Sequence, residues 1–208
     1  GLWLTQSGVP LIALLLIGAS LWLVLGALAD LVLRLRPYGV WAWLRPWRLP
    51  ATAFSAPLAH AGLAVMIVGI ISASMWRGET VVALSPGETL EISGAELSFD
   101  GVRDIEGPNY QAEQARLSYL NGPHKGKALL PERRFYQAER GQTTEAAITT
   151  DIQGHLYAVL GEPVGDKRVL RVWYHPWVAL IWIGALLMAL GGSFALGARL
   201  SQGRRVSK

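Results

Sequence analysis

The chain has 208 residues, of which 51% are hydrophobic and 16% charged, and it contains no cysteine. The missing cysteines exclude disulfides, a Cys-based zinc site, Fe–S ligation, a thiol nucleophile and covalent haem attachment to this chain. Residues 77–171 hold eleven bases and fourteen acids, net −3, and the remainder eight bases and one acid, net +7. A pI of 9.6 would point to nucleic acid if the bases formed a surface patch. Here the excess flanks apolar segments, which is the pattern of membrane topology. No nucleic-acid partner is expected.

The opening residue is Gly, and residues 1–10 carry no basic n-region. This stretch does not read as a signal peptide. The expectation is a processed start or the C-terminal portion of a longer protein.

Residues 9–33 form the first apolar run, interrupted only by Ser20 and Asp30. A bilayer core needs roughly 20 helical residues, so this run is long enough to span. Asp30 and Arg34 have the spacing of a helix-end ion pair. Arg34, Arg36, Arg45 and Arg48 follow with no acid among them, and Trp41, Trp43 and Trp47 lie in the same loop. Interfacial anchoring explains these tryptophans; a haem platform at Trp41 and Trp43 is the sharper alternative.

The second span covers residues 53–75. His60 is the only titratable side chain between residues 51 and 76. Ala53, Ala56, Pro57, Leu63, Ala64 and Ile67 share its helical face, and Gly62 and Gly69 thin the helix. Ionisable residues at membrane depth are costly and tend to be functional. Two readings stay open from these residues: a packing histidine that hydrogen-bonds a neighbouring helix, or a ligand to a metal or haem iron. Zinc is disfavoured because no second His, Asp or Glu shares the face.

Residues 77–172 read as an all-β domain. Strands are expected at 80–84, 89–92, 96–102, 112–120, 127–136, 146–152, 154–160 and 169–173. Turn signals separate them at 85–87, 107–109, 121–123 and 162–165. About eight short strands suit a small sandwich or partial barrel. His124 is expected in a solvated turn, His155 at a surface or half-buried strand position, and His175 at the outer membrane interface. Residues 133–136 and 143–148 are unusually polar; edge chemistry and a partner or haem-propionate contact are the two readings.

The third span covers residues 177–196 and precedes Arg199, Arg204, Arg205 and Lys208. Two basic clusters place the first loop and the C-terminus in the cytoplasm by the positive-inside rule. The β domain then lies outside, in the periplasm of a Gram-negative cell. The expected organisation is residues 1–50, first span and basic loop; 51–76, second span; 77–172, β domain; 173–208, third span and basic tail. The fold class is an α+β membrane protein.

The run Pro57-Leu-Ala-His60-Ala-Gly-Leu-Ala-Val-Met-Ile-Val-Gly69 resembles the penultimate span of the CcmF/NrfE family, the haem lyase subunit of bacterial cytochrome c maturation. The likeness continues in order through Gly107-Pro-Asn-Tyr110, Pro131-Glu-Arg-Arg-Phe-Tyr136, Thr144-Glu-Ala-Ala-Ile148, His155-Leu-Tyr-Ala-Val-Leu-Gly-Glu162 and Tyr174-His-Pro-Trp-Val-Ala-Leu-Ile-Trp182. It covers residues 49–192. The resemblance implies that His60 is an axial ligand of a transmembrane b-type haem. It implies a second axial ligand from outside this chain, in the upstream part of the same haem lyase. That haem would reduce the haem delivered for attachment to apocytochrome c, with quinol as an electron source. Implied partners are a haem chaperone and thiol-handling maturation subunits. His175 receives no ligand role from the resemblance. The rival reading is a non-catalytic, membrane-anchored β module that docks apocytochrome or other maturation subunits.

Overall fold

The computed structural model describes residues 11–39, 52–136 and 141–206. Two compact units divide the chain: residues 1–75 with 177–208, and residues 76–176.

The helical unit holds α1 (Leu11–Leu35), α2 (Thr52–Met75) and α3 (Ala179–Val206), with a short 3-10 turn at Arg36–Tyr38. All three helices are long and apolar enough to cross a membrane. Their hydrophobicity is spread around each helix, as lipid contact requires. Burial on α1 is confined to Ala13, Ser20, Ala27 and Leu35. These recur every seven or eight residues and mark one narrow face. Ser20, Ser55 and Ser193 return their hydroxyl protons to carbonyls of their own helices at 2.8–2.9 Å, which satisfies them without water. Asp30 and Arg34 form the expected ion pair at 2.8 Å.

α2 and α3 meet through glycine. A Cβ built on Gly62 would lie 2.7 Å from the Gly184 carbonyl oxygen, and one on Gly191 would lie 2.6 Å from that of Ser55. Gly69 meets Ile181 at the same closeness. Without a hydrophobic force between helices in lipid, such close backbone packing is what holds them together.

The β unit is a two-sheet sandwich of ten strands. One sheet has the order β1 (Gly78–Leu84), β10 (Lys167–Pro176), β9 (Gly154–Val164), β8 (Ala147–Thr150). The other runs β2 (Thr89–Ile92), β3 (Ala95–Glu106), β4 (Tyr110–Tyr119), β6 (Glu132–Tyr136), β7 (Gly141–Glu145), with β5 (Ala128–Leu129) paired to β4. Every pairing is antiparallel. Residues 154–160 alternate strictly between buried and half-buried, the period-two signature of a sheet with one face inward. Leu97, Phe99 and Leu117 from one sheet pack with Leu160, Leu170 and Val172 from the other; each is at most 1% exposed.

Several strand boundaries differ from the sequence reading: β3 runs on to Glu106 and β9 to Val164, so the turn expected at 162–165 is mostly strand. Residues 127–136 split into β5 and β6, because Pro131 has no N–H for the ladder; the adjoining Pro131 carbonyl instead accepts from Ala115 at 2.9 Å. Residues 146–152 yield only β8, while the polar residues before Ala146 form β7 in the other sheet. β10 continues through Trp173–Pro176, with His175 opposite His155 and Pro176 opposite Gly154. The β unit therefore ends at Pro176 and not at 172. Trp173 is accordingly a sheet residue, edge-on to Tyr157 at 5.3 Å. Trp177 then turns the chain with φ +56°, an unusual conformation for a bulky side chain.

Candidate functional site

His60 is the ninth residue of α2 and its side chain is exposed. Its surroundings follow from how α2 is used. Gly62 and Gly69, on the far side of the helix, face α3. Ala53, Pro57 and Ala64 are buried, whereas Ala56, Leu63 and Ile67 are half-buried. The small residues that share the face of His60 thus divide into a packed margin and an open one. His60 has no hydrogen-bond partner among the described residues. Pro57 sits one turn before it inside the helix and cannot donate to the carbonyl of Ala53.

An exposed imidazole on a membrane span has neither water nor protein to bond. Leaving its polar atoms unsatisfied in hydrocarbon costs on the order of several kcal/mol. Among the described residues no group of three His, Cys, Asp or Glu side chains converges. The described residues therefore hold no complete cage for a metal ion. They fit a haem from one side only: a single imidazole, an open apolar margin, and small residues that let a flat ring approach. Trp41 and Trp43, the alternative platform, lie outside the described residues.

The β unit gathers polar residues that are far apart in sequence. His124 is not solvated as expected. Its Nε2 lies 3.2 Å from Asp151 Oδ2, with the imidazole 17% exposed, and its ring packs against Tyr119 at 5.4 Å. With Nε2–H donating to the carboxylate, Nδ1 is the acceptor in the neutral ring, and Nδ1 is buried without a partner. Asp151 Oδ1 also accepts from the N–H groups of Gln153 and Gly154 at 2.7 and 2.9 Å. Burial pushes the Asp151 pKa up, but the hydrogen bonds from His124, Gly154 and Gln153 outweigh it, and the net direction is down. Burial raises the hydroxyl pKa of Tyr119 and of Tyr174. These groups, with Ser93 and Asn121, line a cleft of about 190 Å³.

A second cluster explains the two polar stretches. Residues 133–136 and 141–144 are neighbouring strands, with Arg133 opposite Thr144 and Arg134 opposite Thr143. Arg134 bonds Glu132 at 2.8 Å, approaches Glu145 at 3.3 Å, and lies over the Tyr110 ring at 4.4 Å. Gly107 lies so close to the same ring that any Cβ there would strike it. Glu132 continues the network to Gln114 at 2.6 Å, and Gln114 accepts from Arg103. On the opposite face of β4, Glu113 pairs with both Arg133 at 3.0 Å and Arg168 at 2.8 Å. Arg168 joins the two sheets through Glu113, while Arg133 and Arg134 tie β6 to its neighbours in one sheet. His155 and His175 are half-buried and directly opposed on β9 and β10.

Residues 75–176 match the family described as the CcmF C-terminal beta-sandwich. The chain is 38% identical over 198 residues to the cytochrome c-type biogenesis protein CycK of Rhizobium meliloti, covering 93% of this chain and 29% of that protein. It is 36% identical over 177 residues to CcmF of Pseudomonas aeruginosa, covering 85% and 27%. It also matches CcmF of Escherichia coli at 32% identity over 195 residues, covering 93% and 29%. The chain thus spans less than a third of the length of these relatives. A solved structure titled cytochrome c heme lyase CcmF shares the fold, with a TM-score of 0.62 over 88% of this chain and 33% of that one, at 22% identity.

Proposed function

The chain belongs to the CcmF/NrfE family of cytochrome c-type biogenesis proteins, as its C-terminal portion, and on that premise we propose that it serves a membrane haem lyase that attaches haem to apocytochrome c, with His60 as one axial ligand of a b-type haem. It is a multi-pass inner-membrane protein with an extracytoplasmic β unit between its second and third spans.

The observation that carries this reading is the exposed imidazole of His60 on α2. Its α2 backbone is fixed from behind by the glycine seam with α3. A bound haem would supply a one-electron carrier, with its potential set by the axial ligands and the low dielectric around them. His60 would hold the iron through one imidazole nitrogen. Ala56, Leu63 and Ile67 exclude water from the flank of the ring. The second ligand comes from elsewhere in the longer protein.

In cells, His60→Ala should abolish or strongly reduce haem attachment to a reporter apocytochrome while the protein still accumulates in the membrane. Wild-type attachment by His60→Ala would overturn the reading.

A second reading has its own support. The β unit has a complete core and outward aromatic and arginine side chains, notably Tyr110, Arg134 and Tyr136. It would dock apocytochrome or another maturation subunit while His60 serves packing. Capture of an apocytochrome peptide by the whole protein, unaffected by His60→Ala and lost on Tyr110→Ala, would favour it.

A further inference from the structure

We propose that His155 and His175 form a chelating site for a divalent first-row transition cation, of the zinc, nickel or copper(II) class, on the outer face of the β1-β10-β9-β8 sheet. The inference is independent of the haem reading, since it uses neither His60 nor any haem.

The register places the two residues directly opposite one another on antiparallel strands. Their neighbours Leu156 and Tyr174 face the core, so both histidines face outward. The next outward pair along the same strands, Tyr157 and Trp173, is in ring contact at 5.3 Å, which shows how closely side chains on this face meet. Directly opposed residues have Cβ atoms about 4.5–5.5 Å apart. Two imidazoles on that footing can converge on one ion with metal–nitrogen bonds of about 2.0–2.1 Å. One nitrogen of each ring suffices; the other remains available for the hydrogen bond that ligating histidines usually make.

The backbone beneath the pair is held tightly. Gly154 is buried, and a Cβ there would lie 2.7 Å from the His175 carbonyl oxygen and 2.8 Å from the Tyr174 hydroxyl. Tyr174 donates to the Gln153 carbonyl at 3.1 Å. The strands cannot slip without breaking these contacts, so the two rings are presented at a fixed separation. Both are half-buried, which limits the rotamer freedom lost on binding.

The donor set fixes the ion. Two neutral imidazoles and no carboxylate suit borderline cations and disfavour calcium and magnesium, which need oxygen ligands. Thr150 stands opposite His155 on β8 and offers a hydroxyl beside the site. Water completes the coordination sphere, since no third His, Cys, Asp or Glu joins the pair among the described residues.

The test is calorimetric titration of the full-length chain in detergent, without a polyhistidine tag, using nickel chloride and zinc chloride at pH 7.5. One saturable site is expected, tighter for nickel than for magnesium by orders of magnitude. His155→Gln and His175→Gln should each weaken nickel binding by at least about tenfold. His124→Gln and His60→Ala should leave it unchanged. Far-ultraviolet circular dichroism that matches wild type establishes that the variants are folded. If both glutamine variants unfold, bound nickel should protect His155 and His175 of the wild-type chain from diethyl pyrocarbonate, read by peptide mapping. Wild-type nickel affinity in a folded His155→Gln variant, unprotected His155 and His175 in the nickel-loaded chain, or no saturable site in the wild-type chain would overturn it.

Discussion

Gly62 and Gly184 face each other so closely that a Cβ on Gly184 would lie 2.5 Å from the Gly62 carbonyl oxygen. Gly62 is two residues from His60, so the rotation of α2 that aims the imidazole outward is set by this contact. Gly184→Leu should force the helices apart and destabilise the protein by about 1–3 kcal/mol, the usual cost of overpacking. Thermal unfolding in detergent checks this. Gly192→Ala, where nothing lies within 4 Å, should be neutral.

The Asp151 carboxylate closes its own turn through the N–H groups of Gln153 and Gly154 and links it to the loop that carries His124. Its pKa is lower in the folded protein than the unfolded value near 3.8. The stability it provides is therefore fully present above that value and is lost as pH falls through the folded pKa. Asp151→Asn should cost about 1–2 kcal/mol at pH 7, with the gap from wild type narrowing as pH falls below the unfolded value near 3.8. Denaturant titrations of both proteins from pH 7 down into the acid range read this out. A gap that grows as pH falls contradicts it.

Tyr110 is in contact with both Gly107 and the Arg134 guanidinium. Gly107→Ala should displace the ring and destabilise the β3–β4 hairpin by about 1–2 kcal/mol. Arg134→Lys should lose the stacking and the shared bonds to Glu132 and Glu145, because an ammonium lacks the planar fork. Hydrogen exchange at residues 103–114 measures both effects.

Phe99 is fully buried where the two sheets meet. Phe99→Ala should cost about 3–5 kcal/mol through the cavity it leaves. A chemical-denaturation midpoint unchanged by Phe99→Ala would contradict the assignment of the core.

How far this architecture was legible in the sequence depends on the distance over which each signal acts. The spans were visible because an apolar run of about 20 residues has few other uses, and α2 at Thr52–Met75 lies within a residue of the expected 53–75. The hairpin at Gly107 to Tyr110 was visible because its turn residues are adjacent. The extension of β10 through Pro176 was hidden, since Trp173, Tyr174 and His175 before a proline also read as a membrane-interface approach. Only the pairing of Pro176 with Gly154 decides it. The His124–Asp151 contact joins residues 27 apart, and no local pattern announces it; the Asp-x-x-Gly turn at 151–154 was the one available hint. His60 stood out for the opposite reason. Its signal is chemical, a lone titratable group in an apolar run, and needs no knowledge of the fold.

That lone group decides the account. The direct measurement is the reduced-minus-oxidised optical spectrum of the purified full-length protein, comparing wild type with His60→Ala at equal protein concentration. The account predicts a b-type signal in the wild type and its loss, with loss of bound haem, in His60→Ala. An unchanged b-type spectrum and unchanged haem content in His60→Ala would contradict it.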